Sequence, residues 1–217
     1  MDAEVRTQRE QVVSIIRMLQ AMLVEIREAF VRQQVHLLNK VGSERKDIAE
    51  ETAFTAAEAD ELMVGRLWRD REPIIEYQDI LRHLKLLAGD LEGIAEVLRR
   101  QIGDRIPFSD KMMEQVNLLL GRQEMLLHSI AGMVSTGETT RSREISRICS
   151  WLGQHCLLFA TQHESRLVEG LLSASAPLFL SILDRMQTLV HHELELIRLL
   201  EAWIESKTSG RSMVNYS

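Results

Sequence analysis

Proline is scarce in this chain, with three residues in 217, at Pro73, Pro107 and Pro177. Tyrosine and cysteine occur twice each. No run approaches ~18 uncharged apolar residues, so no transmembrane helix is expected. The first thirty residues mix Glu, Arg and Gln among apolar positions, unlike a secretory leader. A basic excess is also missing. The 26 Lys and Arg against 32 Asp and Glu leave a net charge of −6 and a sequence pI near 5.7. Phosphate backbones need a concentrated basic face, so nucleic acid is not expected as a partner. No glycine-rich phosphate loop occurs, which argues against direct nucleotide binding. No histidine has a glutamate three residues before it, which removes the Glu-x-x-His pairs of ferritin-like di-iron bundles. Nothing suggests a nucleophilic triad, and no enzyme is expected.

The two thiols, Cys149 and Cys156, lie seven apart. On one helix that spacing separates their Cα atoms by ~10 Å, too far for a disulfide. Reduced core thiols in a cytoplasmic protein are the expected reading.

What is abundant is helix-forming: Leu, Glu, Arg and Met. Apolar residues recur in steps of three and four along six long stretches, and no two-residue alternation appears. A first helix is expected from Glu4 to Lys40, with Val12, Ile15, Ile16, Leu19, Met22, Leu23, Ile26, Phe30 and Leu37 inward. Gly42 suits its C-cap, and Ser43 and Glu44 suit the start of a second helix to Arg69. That second helix is alanine-rich, so a neighbour can approach closely. Pro73 is expected to break it. The third helix centres on Tyr77 to Gln101, with a stripe at Ile80, Leu84, Leu87, Leu91, Ile94 and Leu98.

Gly103 to Ser109 is the strongest punctuation near the midpoint. A fourth helix follows to Val134, closed by Ser135-Thr136-Gly137. A fifth runs from Glu138 to Glu169, with Ile145, Cys149, Leu152, Cys156, Phe159 and His163 in step. Gly170 and Ser173 to Pro177 form the next break. The sixth spans Pro177 to Glu205, with Ile182, Met186, Leu189, Val190, Ile197, Leu200 and Trp203 inward. Ser206 to Ser217 is read as a flexible tail. The layout is therefore all-α, with two tandem three-helix bundles over residues 1–103 and 104–217.

The third helix carries a crowd of carboxylates at Asp90, Glu92 and Glu96, off the apolar stripe. The run Asp90-Leu91-Glu92-Gly93-Ile94-Ala95-Glu96 resembles the D/E-L-E-R-I-x-D third-helix signature of PhoU proteins. Gln162 to Gly170 resembles the end of helix five in PhoU-like cytoplasmic domains of sodium/phosphate cotransporters. Leu183 to His191 falls where a second signature belongs. The resemblance implies a cytoplasmic, non-enzymatic regulator of phosphate uptake or signalling. It would dock on a phosphate transporter subunit or a sensor kinase, and would reach the membrane only through a partner or an upstream transmembrane domain. A homodimer fits such long amphipathic helices. The alternatives are a metal-binding bundle, or an oligomerising soluble arm of a larger membrane transporter.

Some PhoU proteins hold iron or zinc on an outward bundle face through E/D-x-x-x-D pairs. Carried to this chain, the first pair is Glu92 and Glu96. The second-helix pair falls at Glu50 and Phe54, with Glu51 or Glu58 as substitutes for the ring. The second-half pair falls at Gln187 and His191. The implied ligands are thus Glu92, Glu96, Glu50 and His191, and the implied ion is Fe, Zn, Mn or Ni. Gly93 stands where the signature has arginine, and Phe54 cannot ligate.

Bland readings stand beside these. Arg99 and Arg100 are spaced to neutralise Glu96. His191 with Glu195 is a four-residue chelate spacing, yet adjacent surface histidines are ordinary. Cys149, His155, Cys156 and His163 invite a zinc reading, but three of them share the heptad stripe with Leu152 and Phe159, which favours core packing.

Overall fold

A computed structural model describes residues 2–64, 67–168 and 175–212. Among them are six long helices and no strand: α1 Asp2–Arg32, α2 Val41–Met63, α3 Trp68–Gly103, α4 Asp110–Thr136, α5 Ser142–Val168 and α6 Ala176–Ser212. No helix among the described residues is long and apolar enough to cross a membrane.

The predicted stripes are the core. Every α3 stripe residue from Ile80 to Leu98 is buried, as are Ile145, Cys149, Leu152, Cys156 and Phe159 on α5. One position shifts by one: Leu38 is buried rather than Leu37. One hydrophobic cluster runs through all six helices.

The first helix ends earlier than expected. It stops at Arg32, followed by a 3₁₀ turn over Val35–Asn39. The left-handed residue is Gln33, at φ 53°. The Gln34 amide donates to Ala29 O at 3.0 Å and the Gln33 amide to Phe30 O at 3.3 Å, a Schellman closure made without glycine. The Gln33 side chain adds a 2.7 Å bond to Phe30 O, which helps offset the strain of a Cβ there. Gly42, expected as the cap, lies inside α2, where its bare Cα faces Glu92 of α3.

Arg105 ends α3 in the same way. Its φ is 53°, with Ile106 N donating to Gln101 O and Arg105 N to Ile102 O. The Gln101 amide donates to Gln33 Oε1 at 3.1 Å and to Ile106 O at 2.8 Å, so the two caps are tied together. α1 and α3 are therefore parallel, with α2 returning between them.

Pro73 does not break the chain. It sits within the second turn of α3, and the break falls earlier, after Met63. A proline near a helix start has a suitable φ and removes one backbone bond, and the buried Ile74 and Tyr77 beyond it favour helix. α4 matches expectation. Ser109 Oγ accepts from Met112 N, and Gly137 closes the helix at φ 69°. α6 continues to Ser212, past the tail expected from Ser206; residues 213–217, and the break read at Gly170 and 173–174, lie outside the described residues.

The halves meet along two seams. α1 packs on α4, where Arg27 reaches Glu124 at 2.7 Å and Asn117 at 3.0 Å. α3 packs antiparallel on α6, where Tyr77 stacks on Trp203 at 5.9 Å. Phe108, in the connection between halves, lies between Phe30 of α1 and Phe179 of α6. α2 and α5 are the outer helices, laid against α3 and α6.

Candidate functional site

α3 presents its carboxylates to two neighbours. Glu92 is 29% exposed and faces α2, with Arg45 Nε at 3.1 Å from its carboxylate. Glu96, one turn on, is exposed. Its expected neutraliser Arg99 instead donates to Leu38 O at 2.8 Å, closing the 3₁₀ turn.

Asp90 is a different case. Like Glu92 and Glu96 it lies off the apolar stripe, but its side chain is only 16% exposed and accepts from His192 Nδ1 of α6 at 2.6 Å. Burial pushes its carboxyl up, while His192 and Arg185 pull it back down. Arg185 lies beside it, filling the notch at Gly93; a Cβ there would collide with the guanidinium. The helix that lacks the signature's own arginine thus receives one from α6.

Next to His192 is Glu193, fully buried. Its Oε1 accepts from Gln123 of α4. Burial pushes its carboxyl up to about 8, against the pull of the Gln123 bond and with a further push from Asp90. The Cys149 thiol of α5 is also held up by burial and by this carboxyl, and burial pushes Cys156 up to about 12. Both cysteines are free, buried and protonated at neutral pH, as core thiols should be.

Asp90, His192, Glu193 and Gln123 form a polar layer where α3, α4 and α6 meet, and sequence reasoning missed it. A signal was there. Glu193 falls in step between Val190 and Ile197, and Gln123 between Leu120 and Leu127, so both stood on apolar stripes.

Of the residues named for metal, Glu92 and Glu96 share the α3 surface. Glu50 is exposed on α2. Since Arg45 is level with Glu92 and Asp60 with Gln78, the antiparallel register sets Glu50 more than one turn from Glu92. His191 is exposed on α6, in the other half, and Glu195 is paired with Arg198 at 3.1 Å. Among the described residues no three His, Cys, Asp or Glu side chains gather as a metal-binding group. The four do not fit together as one donor set. Phe54 is 63% exposed, an uncovered ring on the outer helix. Of the zinc candidates, His155 stacks on Trp151 with ring centres 3.7 Å apart, and His163 packs against Phe179 at 5.1 Å.

No protein-family model matches the chain, and no curated protein matches it. Solved structures do. The phosphate transport system regulatory protein PhoU from Streptococcus pneumoniae superposes with a TM-score of 0.81 at 11% identity, covering 95% of this chain and 97% of that one. PhoU from Pseudomonas aeruginosa superposes with a TM-score of 0.83 at 10% identity, covering 94% and 99%. The chain therefore has the PhoU fold over essentially its whole length, the fold that its third-helix residues implied.

Proposed function

We propose that this chain is a non-enzymatic regulator of phosphate transport or phosphate signalling, acting by docking on a partner protein. The observation that carries the reading is the end-to-end correspondence with two PhoU structures, one of them the phosphate transport system regulatory protein of Streptococcus pneumoniae. The residues agree with it. The interior thiols are protonated, Glu193 and its partner Gln123 are closed from solvent, and the surface offers long helix faces. The partner would be a transporter subunit or a sensor kinase at the cytoplasmic side of a membrane. Self-association into a homodimer belongs to the same reading and is checked by light scattering.

Deleting the gene tests the proposal. Altered phosphate uptake and altered phosphate-responsive transcription are expected. Unchanged uptake together with unchanged transcription would sink it. A metal-binding role rests on the Glu92 and Glu96 pair alone, and elemental analysis of protein purified without chelator decides it.

A further inference from the structure

α2 carries seven acidic side chains and two basic ones, a net charge of −5 in a protein whose total is −6. Much of this acid is sorted onto one face. Asp47, Glu50, Glu58 and Glu61 are exposed, and with Phe54 they fall in steps of three, four, four and three, a single outward stripe. Phe54 is at its centre. Exposed Ala53 and Ala57 beside the ring keep the relief low. Val64, 83% exposed, closes the C-terminal end.

The fold draws little from this arrangement. The ring stands in water, and like charges three and four residues apart repel. Glu58 accepts from Gln11 of α1 at 3.0 Å. The outer position does not require acid either, because α5 carries three arginines and two glutamates, a net charge of +1. An exposed aromatic amid low relief, ringed by one sign of charge, has the anatomy of an interface: a ring to be desolvated at the centre and charges at the rim that select and steer the partner.

We propose that this face of α2 docks a basic amphipathic segment of a partner protein. Its Lys or Arg side chains meet Asp47, Glu50, Glu58 and Glu61, and its apolar side receives the Phe54 ring and Val64. The occupant follows from charge complementarity: a surface this acidic repels anionic bilayers and nucleic acid and attracts cationic peptide. The proposal deepens the docking reading above and rests on it.

The test uses the full chain and a defined probe, an amphipathic Lys/Leu peptide of about 18 residues, beside a scrambled peptide of equal composition with no apolar face. Affinity is read by anisotropy at roughly 50 and 200 mM salt. The amphipathic peptide should bind wild type about tenfold tighter than Phe54→Ala, a difference of ~1.4 kcal/mol. Asp47→Lys/Glu50→Lys/Glu61→Lys should weaken binding and flatten its salt dependence. Met125→Ala, which trims an exposed apolar residue of α4, should change nothing. Circular dichroism checks that each variant keeps its helices. Equal binding by wild type and Phe54→Ala, equal binding of the scrambled peptide, or binding to phosphatidylglycerol vesicles instead of peptide would each overturn the proposal.

A cellular arm separates this surface from the broader function. If deletion deregulates phosphate-responsive transcription while Phe54→Ala and the charge reversal behave as wild type, docking stands and this surface is ruled out. If both variants copy the deletion, the surface is supported. If deletion itself has no effect, the phosphate reading fails and the peptide arm alone decides the surface.

Discussion

In the first half of the molecule most acidic groups of α2 face outward, whereas in the second half α5 is nearly neutral and a carboxyl, Glu193, lies in the core. The two halves share an order of helices and an antiparallel plan, so the backbone does not dictate this difference. The α3 stripe from Ile80 to Leu98 puts only apolar groups into the core, whereas the α6 stripe includes the fully buried Glu193. The outer helices differ too. α2 buries Val41, Ile48, Thr52, Thr55 and Ala59, a set of small and partly polar groups. α5 buries the larger Ile145, Leu152 and Phe159 and two thiols, together with Ser142 and His163. The first half therefore carries an acidic outer helix that a partner can meet, and the second carries a titratable acid in its core.

The largest expected effect comes from removing the interior acid. The free carboxyl releases its proton near 4.5 and the folded one near 8. Below the first value both states hold the proton, and the stabilising effect of protonated Glu193 is fully present. Between the two, only the folded state holds it, so stability falls as pH rises, and the loss is complete above the second value. The contribution approaches about 5 kcal/mol at its limit. Glu193→Gln keeps the shape and the Gln123 contact without the charge. It should be the more stable protein at about pH 8 and match wild type near pH 4.5. Urea unfolding across that range checks this, and parallel profiles for the two proteins would refute it.

The outer helices offer a comparison in packing. Leu152→Ala on α5 should cost about 3 kcal/mol, because it leaves a cavity against α6. On α2 the informative change goes the other way. The Thr55 hydroxyl is buried with no hydrogen-bond partner among the described residues. Thr55→Val replaces it with a methyl of nearly the same volume and should stabilise by about 1 kcal/mol. A drop in melting temperature for Thr55→Val would mean that the hydroxyl is used, and the contrast between the outer helices would shrink.

The sequence made the architecture plain and misjudged its ends. Stripes at Ile80 to Leu98 and Ile145 to Phe159 marked the core faces because burial repeats with the helical period, whatever the partner helix. Helix ends depend on single residues. Gln33 and Arg105 take left-handed conformations that sequence habit reserves for glycine, and they are held there by closures whose acceptors lie in the preceding turn. Pro73 read as a break because its cost is local, whereas the burial of Ile74 and Tyr77 that outweighs it is tertiary. The carboxylates of α3 were legible as a group, but not their division. Asp90 turns to His192 and Glu92 to Arg45, and only knowing which helix stands on each side separates them. Glu193 was passed over because an acid on an apolar stripe looks like an interruption, although its spacing placed it inside.

The smallest expected effect on stability belongs to the residue with the largest expected effect on docking. Phe54 is mostly in water, and its neighbours on the stripe are carboxylates and alanines. Truncating such a ring removes little buried area, so Phe54→Ala should leave the unfolding free energy within about 0.5 kcal/mol of wild type. Alanine is also the better helix former, which offsets part of any lost contact. Leu152→Ala under the same conditions supplies the scale. If Phe54→Ala costs as much as Leu152→Ala, the ring is packed against its own chain in solution and the outer face of α2 is structural. If it costs nothing measurable, the ring is free for another surface, and the acid around it defines that surface as basic.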